Sequence, residues 1–405
     1  MKYTETLQWM FAQLPMYQRQ GKTAFKKNLN NILKLDAHLG FPSQKVKFVH
    51  VAGTNGKGSV SHLLASILQE SGYKTGLYTS PHLKDFRERI RINGQMIRKN
   101  CVINFIKRNK EFLSQNHLSF FEMTVGMALE HFAKKQVDIA VIETGLGGRL
   151  DSTNIIRPEL SVITNIGLDH TQMLGNTLEK IAREKAGIIK ENTPVIIGRK
   201  QKETQKVFEE IAVQKKAPIY FSTTENTELY PSALKGSYQK ENIATVLKSV
   251  DVLRNKNYRI TEENLKNGLL NVIENTGLRG RWDILQKNPL VIADTAHNED
   301  GLKMVMQQLS GIDFDKLHFV ISVVNDKDLD KILPLFPKNA TYYFSKANIP
   351  RGLDAKILQQ KAQVFNLKGK TYPSVTTAYQ TALQNAGKND VVFIGGSTFT
   401  VAEVI

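Results

Sequence analysis

Seven consecutive residues, Gly53-Thr54-Asn55-Gly56-Lys57-Gly58-Ser59, combine the types needed to hold a row of phosphates. Their glycines let the backbone turn tightly and present N–H groups to an anion. An apolar run from Val46 to Ala52 precedes them, and a helical pattern begins at Val60, so a helix aims its positive dipole end at the same spot. Lys57 adds a full charge, and Ser59 offers a hydroxyl to a magnesium ion or a phosphate oxygen. Gly58 between the lysine and the hydroxyl residue, and Val51 where a first glycine would stand, set the loop apart from the standard Walker pattern. The chemistry supported is nucleoside-triphosphate binding.

Further polar residues stand directly after apolar runs. Asp138–Glu143 ends in Glu143 and continues as Gly145-Leu146-Gly147-Gly148-Arg149-Leu150-Asp151; Leu160–Asn165 leads to Asp169-His170-Thr171. In α/β sheets ligands gather beyond the carboxyl ends of strands. Glu143, His170 and a hydroxyl therefore form a candidate Mg²⁺ set, with histidine the less usual donor for so hard a cation. In the second half, Leu290–Asp294 runs into Asp294-Thr295-Ala296-His297-Asn298. There Asp294 could accept from ribose hydroxyls and His297 could reach a phosphate, while Arg281 could clamp a triphosphate.

Such residues need strands to carry them. Lys47–Ala52, Asp138–Glu143, Leu160–Asn165 and Pro194–Gly198 read as continuous apolar runs, as strands of a parallel sheet covered on both faces do. Helical stripes alternate with them, one at Val60, Leu63, Leu64, Ile67 and Leu68, another starting at Leu178, Ile181 and Ala182. A second series comprises Leu290–Asp294, a helix near Gly301–Leu309, then Leu317–Val324, Thr341–Phe344 and Val391–Ile394. The expected fold class is α/β: a P-loop-type N-terminal domain with a mostly parallel sheet flanked by helices, and a smaller Rossmann-like C-terminal domain. Boundaries are set at 1–284 and 285–405, with Trp282–Pro289 read as the linker.

The 405 residues suit two domains, and 41% hydrophobic with 23% charged residues is a globular composition. No apolar run reaches the length of a bilayer crossing, and Met1–Gln20 lacks the pattern of a secretory signal. The single cysteine, Cys101, excludes an internal disulfide and fits the cytoplasm. The chain carries 55 basic against 38 acidic residues, a net +17. Its basic pairs Lys26-Lys27, Lys134-Lys135 and Lys215-Lys216 read as solvated positions, not as a nucleic-acid stripe. A field that draws in small polyanions is equally consistent with that charge.

Taken together, Gly53–Ser59, Ser80-Pro81-His82-Leu83, Glu143–Asn154, Leu168–Thr171, Arg183-Glu184-Lys185-Ala186-Gly187 and Asp294–Asn298 resemble the folylpolyglutamate synthase/dihydrofolate synthase family of the Mur ligase superfamily. The resemblance extends to the turn Gly395-Gly396-Ser397-Thr398 and so covers essentially the whole chain. It implies a central ATP-binding domain, a C-terminal glutamate-ligase domain, and a monomer that binds neither nucleic acid nor membrane. The implied reaction phosphorylates a pterin-bearing carboxylate with ATP, after which L-glutamate attacks the acyl phosphate. The substrates implied are dihydropteroate, tetrahydrofolate or its polyglutamates, and L-glutamate.

By the same resemblance Asn55, Gly56, Lys57, Gly58 and Ser59 would hold the phosphates. Mg²⁺ would take Ser59, Ser80, Glu143 and His170, with K⁺ as a further cation. Asn242 would face adenine, Asp294 the ribose, and Arg281 and His297 the phosphates. Lys57, His170 and Lys185 would carry the catalytic work, Lys185 as the lysine that the family carbamylates. Phe120, Phe121 and Glu122, with Arg149, Leu150 and Asp151, match the stretches that hold dihydropteroate. Three positions depart from the family pattern: Glu299, Tyr238 in place of a histidine, and the Gly-Gly-Ser-Thr turn.

Three rival readings remain. A dedicated folylpolyglutamate synthase would lack the dihydrofolate synthase activity. A peptidoglycan-type ligase would carry a uridine-nucleotide domain ahead of the loop, and 52 residues leave too little room for one. A P-loop regulatory or nucleic-acid-binding NTPase is allowed by the charge but leaves the Asp-x-Ala-His-Asn segment without a role.

Overall fold

The computed structural model describes residues 2–14 and 28–405; the pair Lys26-Lys27, and residues 1 and 15–20 of the segment Met1–Gln20, lie outside the described residues. Contacts along the chain gather into two units, residues 1–233 with 240–277, and residues 234–239 with 278–405. Each is a sheet of mostly parallel strands. Among the described residues no helix is long and apolar enough to cross a membrane.

The first unit is built on β1 (Lys47–Ala52), β2 (Thr75–Tyr78), β3 (Ile90–Ile92), β4 (Gln95–Met96), β5 (Ile139–Glu143), β6 (Leu160–Ile163), β7 (Val195–Ile197) and β8 (Ile219–Phe221). Their order across the sheet is β4-β3-β2-β5-β1-β6-β7-β8, with β3 and β4 antiparallel and the rest parallel. β5 and β6 are buried along their whole length, as their uninterrupted apolar sequence requires. The helix Lys57–Glu70 is buried from Gly58 to Leu68 because the sheet covers one side and the helix Glu262–Leu270 the other. Ser66 Oγ donates to the Gly268 carbonyl at 2.6 Å, and a Cβ at Gly268 would strike Ile67, so the two helices meet at backbone distance.

The second unit holds β9 (Asp283–Lys287), β10 (Leu290–Ala293), β11 (Leu317–Ile321), β12 (Ala340–Phe344), β13 (Gly369–Thr371) and β14 (Val391–Gly395) in the order β13-β12-β11-β14-β10-β9. The expected linker Trp282–Pro289 is corrected here, since β9 pairs antiparallel with β10 and Trp282 is buried beside Phe393. An edge strand needs apolar residues on one face at most, so Asp283, Gln286 and Lys287 gave it a linker's composition. Lys134, Lys135, Lys215 and Lys216 are exposed at helix ends, as expected of solvated pairs.

Candidate active site

Strand order brings four chain segments side by side at the carboxyl edge of the first sheet. The neighbours β2, β5, β1 and β6 end at residues 78, 143, 52 and 163, and the polar segments follow each of them. Between β1 and its helix, Gly53 has φ +147° and Gly56 φ +82°. A Cβ at Gly53 would strike the Thr164 hydroxyl, and one at Gly56 the amide oxygen of Asn242. Both glycines are therefore required twice, by conformation and by close approach.

The loop is bolted to the segment after β6. Thr54 N–H donates to the Asn165 carbonyl at 2.9 Å, and Asn55 N–H donates to Asn165 Oδ1 at 2.9 Å. Thr164 Oγ1 donates to the Asn55 carbonyl at 2.5 Å, and Gly167 N–H to Thr54 Oγ1 at 2.9 Å. Two lysines converge on its first carbonyl: Lys57 Nζ donates to Gly53 O at 2.9 Å and Lys185 Nζ at 2.7 Å. Lys185, on the helix Leu178–Ala186, is buried. Burial, reinforced by repulsion from Lys57 and opposed by Asp169 and Asp151, pushes its amine down to about 7. Ser59 lies buried in the first turn of its helix.

Glu143 closes β5, is buried, and accepts from Ser80 N–H at 2.9 Å. His170 adopts a left-handed conformation at φ +50°, and its N–H donates to Asp169 Oδ1 at 2.9 Å. Among the described residues no three His, Cys, Asp or Glu side chains converge as a ready-made metal cluster. That arrangement still suits Mg²⁺, which takes one or two protein carboxylates and completes its shell with phosphate oxygens and water.

On the acceptor side, Phe120 and Phe121 part company. Phe120 is 2% exposed and packs in the core against Phe11 and Phe86, at centroid distances of 5.4 and 5.9 Å. Phe121 is half-buried and lays its ring against Gly145, where a Cβ would strike it. Glu122 is buried in the capping box of its own helix, accepting from Ser119 N–H at 2.7 Å. Asp151 Oδ2 accepts from the N–H groups of Gly145 and Leu146 at 2.9 and 2.8 Å, and its Oδ1 from Thr153 N–H and Oγ1 at 3.0 and 2.5 Å. Both carboxylates are buried and accept from nearby donors, as a carboxylate out of water needs. Arg149 is exposed and paired with Glu184 at 2.7 Å, and Leu150 is half-buried beside it. Asn242 is buried on the helix Gln239–Asn255, against Gly56.

The second unit gathers the remaining candidates. Asp294 Oδ2 accepts from Tyr238 Oη at 2.6 Å and Trp282 N–H at 2.7 Å, and Oδ1 from Ala296 N–H at 2.8 Å. Burial pushes its carboxyl up, against the pull of these donors and of Arg281. Arg281 donates to Thr295 Oγ1, and His297 Nδ1 lies 3.0 Å from the Thr295 carbonyl. Sequence reasoning gave Asn165 and Thr164 no role of their own and marked Tyr238 only as a departure from the family pattern. The strand-end rule would have reached the first two; Tyr238 belongs with the second unit only through contacts remote in sequence.

Two family models match the chain, Mur ligase middle domain over residues 51–270 and Mur ligase, glutamate ligase domain over 280–398. The dihydrofolate synthase/folylpolyglutamate synthase of Bacillus subtilis is 32% identical across 99% of this chain and 98% of its own length. A Haloferax volcanii relative, described as a probable bifunctional folylpolyglutamate synthase/dihydropteroate synthase, is also 32% identical, and this chain spans half its length. Escherichia coli FolC in complex with DHPP and ADP superposes with a TM-score of 0.88 at 29% identity, covering 100% of this chain and 97% of that one. The bifunctional folylpolyglutamate synthase/dihydrofolate synthase of Yersinia pestis, complexed with AMPPNP and Mn, gives 0.85 at 27% identity with the same coverage.

Proposed function

This chain belongs to the Mur ligase family, and from that premise we propose that it is a bifunctional dihydrofolate synthase/folylpolyglutamate synthase. It joins L-glutamate to dihydropteroate and then extends folates with further glutamates, each amide bond driven by ATP through an acyl phosphate. The observation that carries the reading is the phosphate loop bolted to the residues after β6, with Lys57 and Lys185 on one carbonyl. Lys57 supplies charge where the γ-phosphate must be drawn off, and Asn242 against Gly56 offers an amide to a base. A divalent metal, when bound, neutralises charge between the β- and γ-phosphates. Ser59, Ser80 and Glu143 would hold it through oxygen, with His170 as the nitrogen candidate.

Lys185 fits carbamylation because a buried amine near 7 is substantially neutral at physiological pH and can add to CO₂. In the second unit Asp294 is held by three donors and keeps lone-pair capacity for one ribose hydroxyl. Arg281 and His297 are assigned to phosphate from their place beside it. Phe121, standing on the loop that follows Glu143, is the ring available to stack on a pterin.

Phosphate release from Mg·ATP and L-glutamate, with dihydropteroate and tetrahydrofolate compared as acceptors, tests the reading. Turnover with both establishes the bifunctional ligase. Turnover with tetrahydrofolate alone makes it a dedicated polyglutamylase, and silence with both, from folded protein, overturns the proposal. Within the same assay Phe121→Ala raises KM for dihydropteroate by roughly three- to tenfold, the worth of an aromatic stack, while KM for ATP holds. Phe120→Ala instead lowers the melting temperature, losing about 3–5 kcal/mol of stability as a core aromatic does. Equal kinetic losses for both variants with every substrate would remove Phe121 from the site.

A further inference from the structure

His50 lies in the middle of β1, fully buried, between Ile142 of β5 and Ser161 of β6. Its Nε2 is 2.8 Å from Thr153 Oγ1, and its Nδ1 is buried without a hydrogen-bond partner. Thr153 and Asp151 are buried too. A threonine hydroxyl has one proton, and Thr153 directs it to Asp151 Oδ1 at 2.5 Å. Thr153 must then be the acceptor toward the imidazole, so Nε2 carries the ring proton and Nδ1 is the bare nitrogen. Burial, with repulsion from Lys190, keeps that ring neutral at physiological pH.

The donors thus run in one direction, from His50 Nε2–H to Thr153 Oγ1–H to Asp151. The other oxygen of Asp151 receives the N–H groups of Gly145 and Leu146, the turn on which the Phe121 ring rests. A histidine is an expensive way to fill this position. Its neighbours Val49 and Val51 are fully buried apolar residues, and an apolar side chain would leave no Nδ1 stranded. What an apolar residue cannot do is donate to Thr153. We infer that His50 is a positioning residue which, through Thr153 and Asp151, fixes the Gly145–Leu146 turn that forms the acceptor side of the site. The strand that delivers the phosphate loop thereby also sets the loop that receives the second substrate. The kinetic part of this inference rests on the proposed ligase reading; the structural part does not.

Two readouts on the full chain separate those parts. The first is amide hydrogen exchange over residues 144–151; the second is KM for dihydropteroate against KM for ATP. His50→Leu is expected to speed exchange at Gly145 and Leu146 about tenfold and to raise KM for dihydropteroate by a similar factor, the worth of about one buried hydrogen bond, with KM for ATP unchanged. His50→Gln, whose amide can donate from nearly the same place, restores both. Thr153→Val, which breaks the chain at its middle link, repeats the leucine phenotype even if His50→Leu fails to fold. Unchanged exchange in both His50→Leu and Thr153→Val overturns the inference. So does a glutamine variant as impaired as the leucine one, with ATP affected equally, because the histidine would then be core filling. If wild-type protein ignores dihydropteroate, the bifunctional reading falls while the exchange comparison still decides the role of His50.

Discussion

Lys185→Ala lowers turnover by about 100-fold, the upper range for loss of a group that supports a metal or phosphate site from behind, and acetate or formate restores part of it. The expectation follows from where the amine sits. It is buried, donates to the Gly53 carbonyl at the root of the phosphate loop, and is repelled by Lys57. A cation there adds to charge already supplied by Lys57. Once the ammonium has lost its proton, the neutral amine can add to CO₂ and release a second one, and the resulting carbamate would replace that cation by an anion able to hold Lys57 and a metal. Small carboxylates could then enter the space left by alanine. Unimpaired turnover would remove Lys185 from the chemistry, and a loss that carboxylates cannot relieve would leave it as a simple cation. Stability gives an independent arm in CO₂-free buffer. The unfolded lysine binds its proton up to its ordinary value near 10.5, the folded one only to about 7. Between those values the unfolded state holds more protons, so this group's contribution to stability rises with pH. Lys185→Met should therefore raise the melting temperature most at or below about pH 7, and the gain should shrink toward pH 10. A gain constant across that range would mean the amine is not strained by burial.

Much of the first sheet was legible because parallel strands covered on both faces are written as apolar runs, and the residues after them are polar for a reason. That logic located Gly53–Ser59, Glu143 and Asp169–Thr171, and the family resemblance then singled out Lys185. It failed for β2, whose four residues include Thr75 and Gly76, and for β8, β9 and β13, which are short or at sheet edges. Polar edge residues cost a strand little, so composition there does not report structure. The pair Phe120-Phe121 shows a different limit. Adjacent residues at a helix start point about 100° apart, and nothing in the two letters says which one faces the core. Glu122 was readable: Ser119 three residues before it is the sequence signature of a capping box, a local use for the carboxylate. The chain His50–Thr153–Asp151 was not, since it joins residues 103 positions apart through side chains no periodicity records.

Gly56→Ala raises KM for ATP by about 100-fold, the upper end of what a strained backbone residue costs, and leaves the fold intact. Two effects combine at this position. An L-residue at φ +82° is strained, and its Cβ would meet the amide oxygen of Asn242. Gly72 separates them. It has nearly the same φ, +84°, but nothing lies within 4 Å of where its Cβ would stand. Gly72→Ala therefore carries the strain alone, far from the loop, and should cost about 1–2 kcal/mol of stability with no change in KM. The collision is tested by pairing Gly56→Ala with Asn242→Ala. If Asn242 both obstructs the new methyl and contacts the base, the double variant binds ATP better than the product of the two single losses predicts, because one obstruction has been removed. Strictly multiplicative losses would mean that Asn242 does not press on the loop when nucleotide is bound. An unchanged KM in Gly56→Ala would be more serious, since a phosphate loop that tolerates a side chain at its tightest turn does not bring its backbone to the phosphates.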